Sequence, residues 1–140
     1  MAVKGRPLSL RLSERAYAYV TEHARRTRRA KGAVVEDLVE EALRMRLFPG
    51  IGFRGGDADR RAWVVGTGLD VWEVIRMLED FGSPERLTAE THLEPRDVSL
   101  AVAYREHHPE EVDRRVADSR RPLSELRERY PTFEVIEVDE

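Results

Sequence analysis

Ten residues near the start of the chain, RPLSLRLSER, set Leu8, Leu10 and Leu12 in alternation with Ser9 and Arg11. Period-two spacing of this kind predicts a strand with one apolar and one polar face. A lone strand leaves its backbone N–H and C=O groups without partners. The residues that follow carry only helical patterns, so no hairpin partner lies nearby in the chain. The natural partner is the same strand of a second copy, and the pattern predicts a homodimer through the N-terminal strand.

Charge divides the chain in the same place. The net charge of −3 conceals an N-terminal stretch, residues 1–46, at +5 and a remainder, residues 47–140, at −8. A basic module joined to an acidic one suggests a polyanion at one end and a different partner at the other. With 36% charged and 41% apolar residues, the 140-residue chain suits two small modules that lean on a dimer. No apolar run approaches a membrane span and the N-terminus lacks a secretory core, so the expected location is cytoplasmic, with no membrane partner. The lack of cysteine excludes disulfides, thiolate zinc sites and thiol catalysis.

After the strand, Ser13 is placed to cap a helix carrying Ala16, Tyr17, Val20 and Ala24, which ends in the basic cluster RRTRRAKG. A second helix, from about Gly32 to Leu47, has Val34, Val35, Leu38, Val39, Ala42 and Leu43 on one broad face. Glu36, Asp37, Glu40 and Glu41 read as its solvated side, with Glu40 and Arg44 in the favourable i,i+4 order. The stretch FPGIGFRGGDADRRA is rich in Gly, Pro and Asp and reads as a linker over 48–60. AWVVGTGL is then a short extended segment with a glycine turn. Asp70 starts a helix holding Val71, Trp72, Val74, Ile75 and Leu78. Ser83 with Pro84 starts a short one, LEPRDVSLAVAYREHH forms a longer one after a tight turn, and Pro109 opens another. Pro122 is a further candidate start.

Short helix, turn, long helix is the helix-turn-helix arrangement. Arg96, Ser99 and Arg105 would be its exposed contacts to DNA, but Glu85, Glu90, Glu94, Asp97 and Glu106 surround them, which argues against phosphate contact. The tail YPTFEVIEVDE interleaves apolar residues with carboxylates, as either a strand for a partner's sheet edge or an acidic terminus.

Catalysis finds little support. REHHPEEVD gathers His107, His108, Glu110, Glu111 and Asp113, but adjacent helical histidines point about 100° apart and share no face. A cap at His108 before Pro109 explains them better than a metal. GFRGG lacks the strand before it and the Lys-Ser or Lys-Thr after it that a phosphate loop needs, and GTG reads as a turn. The chain is expected to be no enzyme and to carry neither cofactor nor metal.

Strand, helix, basic turn and helix over residues 6–47 resemble the ribbon-helix-helix family of dimeric DNA-binding proteins. The resemblance implies antiparallel pairing of two strands, with Leu8, Leu10 and Leu12 on the shared core. The ribbon would enter the major groove, with Pro7, Ser9 and Arg11 facing the bases, Arg11 bidentate to guanine and Ser9 an adaptable donor. It also implies a phosphate at the start of the second helix, held by Arg29, Lys31 and the amides around Gly32. Arg28 stands where the family often has glycine, and Ala30 where it often has a capping serine or threonine.

Residues 49–113 resemble a small domain of unknown function, numbered four-three-three, found in antitoxins of the VapB kind. PGIGFRGG, RRAWVVGTGLDVWEVIRML and LEPRDVSLAVAYREHHPEEVD carry the likeness, with Asp70 in place of a common proline and Glu94 in place of a common threonine or serine. The fold this implies is mainly α: a ribbon-helix-helix module over 1–47, the linker, a trihelical helix-turn-helix-like domain over 61–118, and an extended tail over 119–140. Fusion of the two modules implies the antitoxin of a type II toxin–antitoxin pair, repressing its own operon by binding operator DNA and neutralising a PIN-like ribonuclease toxin. The toxin would be met by Leu123, Leu126, Tyr130, Phe133, Val135 and Ile136 as apolar anchors, with Arg120, Arg121, Arg127 or Arg129 reaching an acidic metal site. The alternative is a stand-alone transcription or partition regulator with no toxin.

Overall fold

The computed structural model describes residues 5–122, together with 125, 128 and 129. It is mainly helical: α1 (Glu14–Thr27), α2 (Lys31–Leu47), β1 (Ile51–Arg54), β2 (Arg61–Val64), β3 (Leu69–Asp70), α3 (Val71–Phe81), α4 (Pro84–Glu90), α5 (Pro95–His107) and α6 (Pro109–Ser119). The strands form a small antiparallel sheet in the order β1-β2-β3. Among the described residues, no helix is long and apolar enough to cross a membrane.

Helix starts follow their local signals. The Ser13 hydroxyl accepts from the Ala16 amide at 3.2 Å, and that of Ser83 accepts from the Arg86 amide at 3.2 Å, with Pro84 at the first helical position. The α1–α2 turn places Arg28 in the left-handed region at φ 56°, the conformation for which glycine is preferred, and the Arg29 amide closes on the Ala24 carbonyl at 3.0 Å.

The stretch expected as a linker, 48–60, contains a strand. Phe48 is buried, and β1 pairs with β2 in the register Ile51↔Val64 through Arg54↔Arg61. Its glycines, which suggested a loop, have packing reasons instead. A Cβ on Gly52 would sit 2.7 Å from the Trp63 indole nitrogen, so the bare backbone is what lets that ring lie over β1. At Gly55, with φ 110°, a Cβ would meet the Asp59 carbonyl at 2.1 Å, which closes the β1–β2 loop tightly on itself.

The apolar residues divide into two unequal cores. The larger joins the sheet to α3–α6 through Ile51, Val64, Val74, Ile75, Leu87, Val98, Tyr104 and Val112, among others. The smaller, between α1 and α2, consists of Val20, Ala24 and Val34, with Leu12 and Val35 packed against it. The segment with Leu8, Leu10 and Leu12, expected as a strand, belongs to no sheet in the single chain, and Leu8 is 81% exposed. The two helices that follow it leave no strand close enough in the chain to form a hairpin with it.

Polar contacts tie the helical hairpin to the larger body. Arg26 of α1 bonds Asp57 at 2.9 Å, Arg60 bonds Glu41 of α2 at 2.7 Å, and Arg44 of α2 reaches Tyr104 of α5 at 2.8 Å. The acidic side of α2, expected to be merely solvated, thus supplies Glu41 to a bridge between the two parts.

His108 corrects a second expectation. It occupies the position before α6, but its side chain makes no cap bond; the ring instead packs on Tyr104, with centroids 4.7 Å apart. His107 turns back to the Ala103 carbonyl at 3.0 Å. Among the described residues, no group of His, Asp and Glu is arranged to hold a metal ion.

Candidate nucleic-acid interface

A groove of about 1000 Å³ runs along the hairpin, lined on one side by the N-terminal segment and on the other by α1 and α2. Ser9, Arg11, Lys31 and Gly32 all line it, so four of the six residues singled out for DNA meet in one place. The groove is open at Gly32, where a Cβ would meet nothing within 4 Å. Leu8, Leu10, Leu12, Val35 and Val39 supply its apolar wall, and Glu36 and Glu40 its acidic edge.

The start of α2 has the features of an anion-accepting end. Ala30 offers no side-chain cap, the first turn contains no acidic residue, and Lys31 and Gly32 are its first two residues. Its leading N–H groups therefore lack the carboxylate or hydroxyl that usually satisfies them.

Two of the singled-out residues fall elsewhere. The Arg29 guanidinium is bonded to the Asp37 carboxylate, which pushes its pKa further up, and it lines a different groove, shared with Glu40, Asp57 and Arg60. Pro7 is exposed outside the lining of the first groove. Lys31, by contrast, donates to the phenol oxygen of Tyr17 at 2.9 Å and lies 4.6 Å from the centre of that ring. The hydrogen bond and charge of Lys31 hold the Tyr17 phenol below its usual pKa.

Sequence reasoning treated Tyr17 as one more apolar position on α1, yet it is 53% exposed and faces the groove. The only signal for it was topological: a helical hairpin with a short turn brings residue 17 alongside residue 31.

Beside this groove the hairpin carries a broad uncovered apolar surface. Tyr19, Leu38 and Val39 line a second depression of about 470 Å³ with Leu12, Val20, Val35 and Ala42. Leu8, Leu10, Tyr17, Tyr19, Leu38, Val39, Leu43, Met45 and Leu47 are the large exposed apolar side chains of the hairpin and its leading segment, whereas the larger body exposes Val65. Among the described residues, the large uncovered apolar side chains are thus nearly all on the hairpin and its leading segment.

At the acidic end, Arg120 is engaged within the body, 2.8 Å from Asp80, 3.2 Å from Glu79 and 3.4 Å from the Arg76 carbonyl. Arg121 pairs with Asp118 at 3.3 Å. Leu123, Leu126, Arg127, Tyr130, Phe133, Val135 and Ile136 lie outside the described residues; Pro122, the further candidate helix start, accepts at its carbonyl from the Glu125 amide at 3.0 Å, and Glu125, Glu128 and Arg129 are helical. Of the residues considered for a helix-turn-helix contact, Arg96 pairs with Glu94 at 3.1 Å and Arg105 with Asp113 at 2.7 Å.

No family model matches this chain, and neither do the curated proteins or the solved structures.

Proposed function

We propose that the chain is a homodimeric DNA-binding protein of the ribbon-helix-helix kind, acting as the antitoxin and autorepressor of a type II toxin–antitoxin pair. The observation that carries the DNA-binding half is the groove that gathers Ser9, Arg11, Lys31 and Gly32 beside uncovered Leu8 and Leu10. A hairpin with three buried apolar side chains is too thinly packed to leave so much apolar surface in water. A second copy laid across that surface would cover it, pair the two leading segments, and leave Ser9 and Arg11 on the outer face of the ribbon.

The antitoxin half rests on the resemblance of residues 49–113 and on the charge division. One observation favours the alternative of a stand-alone regulator: Arg120 and Arg121, expected to reach a toxin, are already paired with Glu79, Asp80 and Asp118.

Co-expression of the tagged chain with its neighbouring reading frame, followed by binding to the shared promoter at two salt concentrations, separates these readings. Co-purification of a small nuclease with salt-sensitive promoter binding supports the antitoxin. Promoter binding without a partner supports the stand-alone regulator, and failure of both overturns the proposal. Val39→Glu on the uncovered face should leave a folded monomer by sedimentation equilibrium; an intact dimer would place the interface elsewhere.

A further inference from the structure

The larger core and the residues packed on it begin at Phe48, and the smaller one ends at Val35, so among the described residues no apolar cluster joins the hairpin to the body. One loop does much of the joining instead. Residues 55–60, between β1 and β2, send Asp57 to Arg26 of α1 at 2.9 Å and Arg60 to Glu41 of α2 at 2.7 Å. His23 of α1 lies beside the same Asp57, its Nδ1 3.8 Å from the carboxylate. The loop is itself fixed to the body. Arg115 of α6 and Arg61 of β2 donate to Asp59 at 2.7 and 2.8 Å, and Arg60 donates back to the Gly55 and Phe53 carbonyls at 3.0 and 3.2 Å. Arg26, Asp57, Arg60 and Glu41 all keep access to water. Ion pairs in that setting are individually weak and lose strength as salt screens them. A third tie, from Arg44 to Tyr104 and Glu111, is more sheltered. It stands where the chain crosses into the body, and there the Phe48 ring packs edge-on against Tyr104 with centroids 5.4 Å apart.

We infer that the β1–β2 loop is a salt-released clasp. With its pairs formed, the hairpin and the body stand at one angle; with them screened or removed, the two swing about the Phe48–Gly50 connection while each stays folded. Gly50, in the left-handed region at φ 103°, supplies a point where the backbone can turn. Opening breaks exposed charge contacts and divides no apolar core, so it costs far less than unfolding either part. The clasp stands or falls independently of what the hairpin binds.

The test uses the full chain, which has no cysteine of its own, with donor and acceptor dyes on Ala18→Cys of α1 and Ala117→Cys of α6, both exposed positions. Labelled chains are mixed into a large excess of unlabelled ones, so that single-molecule energy transfer reads distances within one chain. Raising sodium chloride from about 0.1 M to about 1 M shortens the screening length from about 10 Å to about 3 Å. The transfer distribution, narrow at low salt, should broaden over that range while far-ultraviolet circular dichroism holds steady. Asp57→Asn with Arg60→Gln should give the broad distribution already at low salt. Glu41→Arg with Arg60→Glu, which exchanges the charges of one pair, should be narrower than Arg60→Glu alone. A distribution that stays narrow throughout overturns the clasp. So does one that broadens only as helical signal is lost, because docking would then be part of folding. Broadening by salt with no effect of the loop variants places the charge-held contact outside this loop and overturns the assignment as well. The salt series on the labelled parent needs no substitution in the loop, so it decides the matter even where a loop variant fails to fold.

Discussion

Arg44 of α2 donates to the phenol of Tyr104 on α5, sixty residues away, at 2.8 Å, and that phenol donates in turn to Glu111 of α6 at 2.7 Å. The same guanidinium lies 3.3 Å from both Glu111 carboxylate oxygens and binds Glu40 on its own helix at 3.0 Å. Tyr104 has no exposed surface. Burial first, and then Glu111, push its pKa far above the usual tyrosine value, so the ring stays neutral and its O–H stays a donor. One hydroxyl thus joins the basic hairpin to the acidic body.

Replacing Tyr104 with Phe keeps the packing and removes the hydroxyl from between two charged groups. Stability should fall by about 1–2 kcal/mol, since Arg44 and Glu111 keep each other but lose their shared partner. The urea midpoint reads this directly, and an unchanged midpoint would show that the hydroxyl contributes nothing.

Asp70 is the one buried carboxylate among the described residues. Arg54 and Arg61 each donate to it at 2.8 Å, and the Trp72 indole at 3.2 Å. Its backbone N–H is taken by Glu73 at 3.0 Å, at the start of α3. Asp70→Ala leaves two arginines facing a hole, and because both retain some access to water the cost should be about 3 kcal/mol, at the low end for a broken buried pair. Thermal unfolding would reveal it as a clear drop in midpoint.

Burial, followed by the nearby Arg44 charge, holds His108 below the usual histidine pKa, against the opposing pull of Glu111 and Glu40. The folded chain therefore binds fewer protons at this ring than the unfolded chain does. The resulting contribution to stability is fully present above the unfolded value of about 6.5 and is lost as pH falls toward the folded value. Unfolding free energy measured between about pH 7 and pH 5 should decline, and His108→Asn should flatten that decline.

Arg11 lines the groove and forms no ion pair among the described residues, so its loss should leave the fold and the proposed dimer intact. Arg11→Ala should weaken operator binding by about 1–3 kcal/mol and relax preference at one base position. A selection from randomised duplexes with parent and variant would show the relaxed position; identical preferences would mean that another element reads the bases.

Helix starts were legible because each is written within four residues. The Ser13 and Ser83 hydroxyls accept from amides one turn away, and Pro84, Pro95 and Pro109 set the backbone at the first helical position, where no N–H is needed. β1 was not legible, because Gly52 within it and Gly55 just after it serve contacts with Trp63 and Asp59 that only the folded sheet creates. His108 likewise took a place beside Tyr104 that local capping rules do not contain.

The candidate interface shows the same division. Alternating leucines and a basic turn marked residues 7–32 as the end of interest, and the structure gathers Ser9, Arg11, Lys31 and Gly32 there. Arg29 and Lys31, two positions apart, were indistinguishable as charges in the sequence. Asp37 draws one away and Tyr17 holds the other in the groove. By itself, then, the sequence determined the helices, the serine caps at Ser13 and Ser83 and the uneven charge, all of which act over a few residues. Which cations face a common groove, which glycines admit a ring, and how the hairpin is fastened to the body were decided only by tertiary structure, because each depends on a partner far away in the chain.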